Sequence, residues 1–395
     1  MKKFDFLIVG AGIFGITTAI ELRKRDYEVC IINPDKIPHP LAASTDINKI
    51  VRMEYGSDLF YLEMANECID IWHNWNKLFG ETLYHEVGFM LACRASMESE
   101  KQNFEKVSYN HLISKGHQPE RMQGETISTR FPAFKKGVYI DGFYHKKAGY
   151  AESGRVVEKL TEYGRQLGVS VFEGQTAIEL VRSNNQVLGI KTKEGAEFKA
   201  GHTIICAGAY TPYLIPELQP FMNVTGHAVF HVKPSRPELF SYPNLSVFSA
   251  DTSNTGWYGF PMHPHEKVIK IANHGVGLKL HPEKDERVVT QKDVESFRHF
   301  LENTFPSLAN DPIVYTRRCL YCDTLDGDFW IDQHPNLRGL TIGAGGSGHG
   351  FKMAPVLGSL IANAAENIED PRLNRFRWRA LSPDTILREE VRFME

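Results

Sequence analysis

The 395-residue sequence has few of the features that mark secreted, membrane-spanning or nucleic-acid-binding proteins. Of its six cysteines, four are scattered through apolar segments, which is typical of buried reduced thiols and argues against a disulfide framework: Cys30, Cys68, Cys93 and Cys206. The net charge of -3 provides no electrostatic footprint for nucleic acid or for an anionic membrane surface. We therefore expect neither of these partners.

Long hydrophobic runs are also missing. The longest apolar stretches, such as FLIVGAGIFGI, are far shorter than the roughly 20 residues that a membrane-spanning helix requires. The start MKKFDFLIVG places lysines before apolar residues, as a signal peptide does, but Asp5 interrupts the run and glycines follow where it should continue. We interpret this segment as a first strand and expect a cytoplasmic protein.

The remaining two cysteines, Cys319 and Cys322, form a C-x-x-C pair. This spacing occurs in zinc sites, in redox dithiols and between unrelated thiols. No second C-x-x-C and no cluster of cysteine and histidine completes a zinc site, so we expect no metal. The βα context of a thioredoxin-like dithiol is absent as well.

The N-terminal segment has the pattern of a dinucleotide-binding βαβ unit. FDFLIVG and YEVCIIN are continuous apolar runs, as expected for strands buried on both faces. The segment between them has helical periodicity. The unit therefore predicts a strand, a helix and a second parallel strand.

A glycine motif lies where the first strand meets this helix. Gly10, Gly12 and Gly15 form G-x-G-x-x-G, which permits a tight turn, close approach of a pyrophosphate and helix–strand packing. The helix then begins near Ile13 and Phe14, and its N-terminus offers N–H groups to phosphates. The alternative is a merely structural glycine turn.

The second strand ends in Asn33, where an acidic residue usually binds the ribose hydroxyls. Asp35 follows two residues later. An asparagine can still bond a hydroxyl, so the motif predicts a dinucleotide and leaves the binding of its adenosine open.

Two later segments distinguish FAD from NAD. TIICAGAY, which contains Ala207 and Gly208, is a buried strand that ends in small residues. GAGGSGHGFKMAPVLG has the pattern of a strand end, a glycine loop and the start of a helix. A NAD domain does not need residues about 300 positions away for the same ligand. The segments therefore predict FAD.

All these segments together resemble the FAD-dependent amine oxidases of the D-amino-acid oxidase superfamily. The similarity is greatest to monomeric sarcosine oxidase, N-methyltryptophan oxidase and the fructosyl-amino-acid, pipecolate and saccharopine oxidases. ASTDINKIVRMEYG is similar to the family segment that runs beneath the flavin. CLYCDTLDGDFWIDQHP and GSGHGFKM are similar to two further signatures of that family. The resemblance covers nearly the whole chain.

The resemblance implies a mixed α/β (α+β) fold with two interleaved domains. A Rossmann-type FAD-binding domain would comprise residues 1–85, 146–215 and 319–395. An antiparallel-sheet substrate domain would comprise residues 86–145 and 216–318. The resemblance also implies the residues that contact the cofactor, which are Gly10, Gly12, Ile13, Phe14, Gly15, Asn33, Ser44, Thr45, Lys49, Ala207, Gly208, Gly346, Ser347, Gly348, His349, Gly350 and Lys352.

The same resemblance makes Cys319 the residue that forms a thioether with the flavin 8α-methyl carbon. Arg317 and Arg318 would help to lower the pKa of a nearby thiol. The alternative for Cys319 is a buried thiol without a role, which is also the interpretation that we favour for Cys322.

Three residues are implied at the reacting centre. Lys270 matches a family lysine that promotes the reaction of reduced flavin with O2, because a fixed cation stabilises developing negative charge. His274 matches an active-site histidine, and Tyr321 a tyrosine that shapes the substrate pocket. An isolated lysine on a strand is otherwise usually solvated.

Arg52 and Lys352 are the candidates for binding a substrate carboxylate, Arg52 with two parallel hydrogen bonds and Lys352 as a point charge. The alternative for Arg52 is a salt bridge to Glu54 or Asp46. Lys49 and Thr45 replace an arginine and a histidine of sarcosine oxidases, which argues against sarcosine itself.

These observations predict a monomeric flavoprotein oxidase that acts on the C–N bond of an N-substituted amino acid. The secondary amine would become an imine that water hydrolyses, and O2 would be reduced to H2O2. One alternative is a dehydrogenase of the same fold with another electron acceptor. Another is a flavin-binding protein without catalysis, or a tRNA-modifying flavoprotein.

Overall fold

Helices and strands alternate irregularly along the chain. The computed structural model describes residues 3–382 and Arg392. The helices are α1 (Ile13–Lys24), α2 (Leu59–Phe79), α3 (Asn103–Ser114), α4 (Thr126–Arg130), α5 (Ser153–Gln166), α6 (Thr211–Leu214), α7 (Pro237–Phe240), α8 (Thr252–Thr255), α9 (Gln291–Thr304) and α10 (Ala354–Glu366).

The strands of the described residues form three sheets. In chain order they are β1 (Phe4–Val9), β2 (Val29–Asn33), β3 (Lys49–Val51), β4 (Tyr84–His85), β5 (Phe89–Cys93), β6 (Glu120–Arg121), β7 (Asp141–His145), β8 (Gly149–Ala151), β9 (Ser170–Glu173), β10 (Ala177–Ser183), β11 (Gln186–Thr192), β12 (Glu197–Ile205), β13 (Met222–Val232), β14 (Val247–Ala250), β15 (Trp257–Gly259), β16 (Ile269–Asn273), β17 (Leu278–Lys279), β18 (Ile313–Thr324), β19 (Trp330–Gln333) and β20 (Leu340–Ala344).

The first sheet has eight strands and contains the predicted βαβ unit. Its order is β10-β11-β12-β1-β2-β9, with β20 beside β12 and β19 beside β20. The strands β9, β2, β1, β12 and β20 run parallel. β2 is buried along its whole length, as its apolar run predicts. The carboxyl ends of strands about 300 residues apart in sequence therefore meet at one edge of the sheet.

The second sheet has nine strands and is mainly antiparallel. Its order is β17-β13-β16-β15-β14-β5-β7-β6, with β18 on the other side of β13. The pair β5 and β14 is parallel. This mixture of one largely parallel and one largely antiparallel sheet confirms the predicted fold class.

The long strand β18 belongs to the second sheet and leads along the chain into β19 of the first sheet. It pairs with β13 from Ile313 to Thr324 and therefore runs across residue 319, where the sequence predicted a domain boundary. That boundary falls inside one strand, and the other predicted limits of the domains stay predictions.

A small third sheet, β3-β8-β4, fixes the segment that leads to Arg52.

None of the helices within residues 3–382 is both long and apolar enough to cross a membrane.

The glycine motif packs the start of α1 tightly against the end of β1. A β-carbon at Gly15 would lie 1.9 Å from the carbonyl oxygen of Gly10, so no larger residue fits without moving backbone. Gly12 closes the first turn by accepting a hydrogen bond from the N–H of Ile16, at 3.0 Å. The predicted role of Gly15 in helix–strand packing matches this close approach.

We expect Gly15→Ala to lower both the melting temperature and the FAD content of the purified protein. Forcing the extra carbon into this contact should cost about 1–3 kcal/mol, and the glycine loop should move with it. Gly164→Ala in α5 is the matched control, because a β-carbon there would lie at an ordinary distance of 3.5 Å from its neighbours. Wild-type stability and FAD content in Gly15→Ala would contradict this account of the motif.

Candidate active site

Two cavities meet at the carboxyl edge of the first sheet. The larger has a volume of about 520 Å³ and the smaller about 70 Å³. The residues that line both of them are Lys49, Tyr321, Gly348 and Phe351. The cavities therefore share one wall, to which β18 and the segment after β20 contribute.

The larger cavity lies where open α/β sheets bind their ligands, beyond the carboxyl ends of the parallel strands. Its volume is in the range of small-molecule sites, which is about 300–1,000 Å³. Most of the predicted cofactor residues line it: Gly10, Gly12, Ile13, Phe14, Asn33, Ser44, Lys49, Ala207, Gly208, Gly346, Ser347, Gly348 and Gly350. Segments far apart in the sequence thus come together around one elongated space.

The chemistry of this region fits a dinucleotide. The glycine loop and the N-terminus of α1 open onto the cavity, and such a helix end favours phosphate. Close by, the hydroxyl of Thr45 and the side-chain amide of Asn48 are buried without a hydrogen-bond partner among the described residues. Buried polar atoms normally have partners, so these groups are suited to a polar ligand.

Three predicted cofactor residues occupy less direct positions. Asn33 reaches the cavity, but its oxygen accepts a hydrogen bond from the N–H of Ala11 at 3.1 Å, and its amide donates to the carbonyl of Asp35 at 2.8 Å. It holds the glycine loop in place. Gly15 packs against Gly10, and Thr45 is buried beside Ser44, whose hydroxyl accepts from the N–H of Ile13 at 3.0 Å.

The two cysteines of the C-x-x-C pair lie on opposite faces of β18, because side chains alternate along a strand. Cys319 is buried in a small cluster with Val229, Ala272 and Tyr321. Cys322 lines the larger cavity, and its sulfur lies 3.7 Å from that of Met222, whereas Cys319 is absent from the lining of both cavities. Burial raises the pKa of the Cys322 thiol to about 12.

Arg317 and Arg318 also lie on opposite faces of β18, because they are adjacent along the strand. Burial acts to lower the pKa of Arg317, but the charges of Cys319 and Asp46 raise it overall. The guanidinium of Arg318 instead donates to the carbonyl of Val288 at 2.7 Å and pairs with Asp293. Arg317 therefore lies near Cys319, whereas Arg318 is bound by Val288 and Asp293 on the other face of the strand. The predicted effect of Arg317 on the thiol stays a prediction.

Lys270 is almost completely buried, and its ammonium lies 5.0 Å from the ring centre of Phe260, which lines the smaller cavity. Its ammonium is 2.9 Å from Asp46 Oδ2 and donates to the carbonyl of Asn48 at 2.6 Å. Burial lowers its pKa to about 8 against the opposing charge of Asp46. Burial also acts to raise the pKa of Asp46, but Lys270 holds that pKa well below its usual value.

The smaller cavity is bordered by positive charge. Arg52, Lys352 and Lys49 line it together with His274. The guanidinium of Arg52 and the ammonium of Lys352 each lie 5.1 Å from the ring centre of Tyr55. Tyr55 thus lies against both cations, and sequence reasoning missed it. The two carboxylates considered for Arg52 form other pairs, Asp46 with Lys270 and Glu54 with His145.

A chain of hydrogen bonds fixes the orientation of His349. The ammonium of Lys352 donates to the hydroxyl of Tyr55 at 3.0 Å, and that hydroxyl lies 3.1 Å from Nδ1 of His349. Nε2 of His349 lies 3.0 Å from the carbonyl oxygen of Gly327, which only accepts, so Nε2 carries a proton and donates. In the neutral ring Nδ1 is then the acceptor, and the hydroxyl of Tyr55 donates to it.

The opposite wall of the smaller cavity is aromatic. Tyr321 and Tyr258 are joined by a side-chain hydrogen bond, and burial raises the pKa of Tyr321 well above its usual value. His274 meets the ring of Tyr258 edge-on at 6.4 Å. A β-carbon at Gly348, where φ is +79°, would lie 2.7 Å from the Tyr321 ring, so the glycine loop packs directly on it. Tyr258 was also missed, because a tyrosine on an alternating strand carries no signal of its own.

The family model of the FAD dependent oxidoreductases (DAO) matches residues 5–364 of this chain. The chain belongs to this family. L-saccharopine oxidase from Schizosaccharomyces pombe is 27% identical, with 94% of this chain and 92% of that protein covered. Peroxisomal sarcosine oxidase from Homo sapiens is 26% identical, with 91% of each chain covered. The predicted family is confirmed, and the protein is an FAD-dependent oxidoreductase.

Solved structures share the fold of this FAD-dependent oxidoreductase. Amadoriase I from Aspergillus fumigatus, a fructosyl amine:oxygen oxidoreductase, matches with a TM-score of 0.83 and 23% identity over 100% of this chain and 94% of that one. The fructosyl peptide oxidase from E. terrenum matches with a TM-score of 0.86 and 19% identity, over 98% and 94% of the two chains. These similarities extend to the whole described architecture.

We expect Arg52→Gln to weaken the binding of acetate, a minimal carboxylate, to the smaller cavity. Loss of the charge-assisted hydrogen bonds should raise the dissociation constant by roughly tenfold to a hundredfold. The perturbation of the flavin absorption spectrum during titration with acetate measures this constant. Arg182→Gln, at an exposed arginine of β10, is the control. Equal affinities in wild type and Arg52→Gln would show that the anion binds elsewhere.

Proposed function

We propose that this protein oxidises the C–N bond of an N-substituted amino acid, with O2 as the electron acceptor. The observation that carries the proposal is the shared wall between a dinucleotide-sized cavity and a small cavity bordered by buried cations. A carboxylate held by these cations would orient its adjacent C–N bond toward the larger cavity. The net reaction takes up one O2 and one H2O, and releases a primary amine, a carbonyl compound and H2O2.

The side chains of the small cavity support binding of the substrate. Arg52 can bind a carboxylate through two parallel hydrogen bonds, and Lys352 adds a second positive charge. Both charges favour the neutral form of a nearby amine, because a like charge disfavours protonation. Tyr258 and Tyr321 form the apolar wall against which the substituent on nitrogen would pack.

The residues that line the larger cavity would hold FAD, and the bound cofactor would supply an acceptor for two electrons and a proton from the substrate carbon next to nitrogen. A buried cation beside the smaller cavity would then serve the reaction with O2. Lys270 is a fixed cation held by Asp46 and the carbonyl of Asn48, and it would stabilise the negative charge that develops on O2. We assign to it the main part in making the protein an oxidase rather than a dehydrogenase.

The size of the smaller cavity bears on the substrate. A volume of about 70 Å³ accommodates compact groups more readily than large ones. We therefore place a compact N-methyl amino acid, or a cyclic one such as pipecolate, first among the proposed substrates.

Cys319 is our candidate for a covalent bond to the cofactor. It lies on the same face of β18 as Tyr321, and the charges of Lys270 and Arg317 are both close enough to interact with it. The thioether would form with loss of one hydrogen from the thiol and one from the 8α-methyl group of the flavin. O2 would take up both hydrogens as H2O2, which balances the step.

We expect at least one secondary-amine acid among sarcosine, N-methyltryptophan, pipecolate, saccharopine and a fructosyl amino acid to yield H2O2. Lys270→Met should slow the reoxidation of the reduced protein by O2 far more than its reduction by substrate. Stopped-flow absorbance measures the two steps separately. In the wild type, the rate of reoxidation should fall as the pH rises through about 8, because Lys270 then loses its charge.

Lys279→Met, at an exposed lysine of β17, is the control for the loss of one positive charge. It should leave both steps unchanged. If the whole panel yields no peroxide, the proposed function is wrong. Equal slowing of both steps in Lys270→Met would remove the assigned role in the reaction with O2.

We expect Cys319→Ala to leave FAD removable by acid denaturation and Cys322→Ala to keep it attached. The reason is that Cys322 has a thiol whose pKa is raised to about 12 and that packs against Met222. The flavin absorbance of the supernatant after acid precipitation measures release. Free flavin from the wild-type protein would refute the covalent bond, and release from Cys322→Ala alone would transfer it to that residue.

A further inference from the structure

One face of the β13–β18 ribbon carries both site residues and a buried polar cluster. Cys319, Tyr321 and Asp323 share a face of β18, because side chains alternate along a strand. Thr225 and His227 lie opposite Tyr321 and Cys319 on β13 and share that face. The polar cluster is thus part of the same surface as the wall of the smaller cavity.

Arg392, which is far along the chain from both strands, completes this cluster. Its guanidinium makes two hydrogen bonds to Asp323, both of 2.9 Å, and a third to the carbonyl of Gly275 at 3.0 Å. Arg392 is 4% exposed and Asp323 is 0% exposed. Burial acts to raise the pKa of Asp323, but Arg392 holds that pKa at about 2. The pair is therefore ionised and shielded from solvent.

The same guanidinium sets the orientation of His227. Nη2 of Arg392 lies 3.0 Å from Nε2 of the histidine, and since a guanidinium only donates, Nε2 is the acceptor. The ring of His227 stacks on the ring of Tyr321, with 4.1 Å between centres and 22° between planes. On another side, Tyr321 packs against Gly348. Arg392 therefore fixes the orientation of His227, whose ring stacks on that of Tyr321.

The hydrogen bond from Arg392 to Gly275 lies next to His274, a second residue that lines the smaller cavity. Gly275, whose carbonyl accepts from Arg392, directly follows His274 in the chain. The N–H of His274 donates to the carbonyl of Gly256 at 2.6 Å, and its side chain lines the smaller cavity. One side chain therefore connects the backbone beside His274 with the support of Tyr321.

We propose that Arg392 is a positioning residue that holds Tyr321 and His274 in the geometry needed to bind substrate. The affinity and selectivity of the smaller cavity then depend on a residue near the C-terminal end of the chain. The identity of the ligand rests on the proposed function. The contacts that Arg392 makes with its neighbours are independent of that function. The guanidinium of Arg392 lies 5.8 Å from the ring centre of Tyr321, but among the described residues Arg392 is not part of the lining of either cavity. The expected effect is therefore on binding more than on turnover.

A purely structural role makes a different prediction. Arg392 would then serve only to neutralise Asp323, because a buried carboxylate without its partner is strongly destabilising. Removing both charges separates the two roles. The double variant Arg392→Met/Asp323→Asn has neither the positive nor the negative charge of the pair. The carbonyl of Gly275 and Nε2 of His227 still lack the guanidinium that donates to them.

The test compares the full-length wild type, Arg392→Met and the double variant. We expect Arg392→Met to lower the melting temperature and to weaken acetate binding, followed by flavin absorbance, by roughly tenfold to a hundredfold. In the double variant the melting temperature should recover, while acetate binding should remain weak. With an amine substrate, KM should rise in both variants by a larger factor than kcat falls.

Arg392→Lys is the variant to use if the methionine variants do not accumulate. It retains the charge beside Asp323, but a single ammonium cannot replace the planar fork that reaches three partners. Its acetate affinity should lie between those of wild type and Arg392→Met. Arg377→Met, at an exposed arginine, is the control and should match the wild type.

The proposal is overturned if acetate affinity recovers together with stability in the double variant, since Arg392 would then act only by neutralising charge. Wild-type affinity in Arg392→Met or in Arg392→Lys also overturns it. These measurements do not need turnover. If the wild type oxidises no secondary amine, the proposed function fails, and the acetate titrations still decide the role of Arg392.

Discussion

Positive charge buried around the smaller cavity is the constraint on which the rest of the site depends. Lys270, Lys352 and Arg52 are 1%, 5% and 6% exposed. A cation removed from water is costly unless charges or dipoles compensate for it. Lys270 is compensated by Asp46 and the carbonyl of Asn48, and Lys352 by Tyr55 and the carbonyl of His349. Such a region favours ligands that are anionic or that become negatively charged during the reaction.

The interleaved topology is what brings these compensating groups together. The bond from Lys270 to the carbonyl of Asn48 joins residues 222 positions apart, and the bond from Lys352 to Tyr55 spans 297. The first sheet presents its carboxyl edge to the larger cavity, whereas β16 and β18 of the second sheet carry Lys270, Cys319 and Tyr321. Neither sheet alone contains a complete site.

Much of the fold and of the larger cavity could be predicted from the sequence, because short segments carry the patterns that determine them. The strict spacing of Gly10, Gly12 and Gly15 between apolar strands predicted the βαβ unit, and the residues of the C-terminal signature predicted which segments return to it. Strand alternation would also have separated Arg317 from Arg318, which the sequence analysis assigned to one thiol. The pairing of Asp46 with Lys270 and the position of Tyr55 could not be predicted, because each depends on the packing of distant segments.

The sequence by itself determined the family, the βαβ unit and most of the residues that line the larger cavity beside it. These follow from short-range patterns, since glycine spacing and apolar periodicity act within a few turns of chain. Only the tertiary structure decided which charges pair, which face of β18 each cysteine occupies and where Arg392 lies. Charge compensation and burial depend on distances between segments hundreds of residues apart, and the folded chain alone sets those distances.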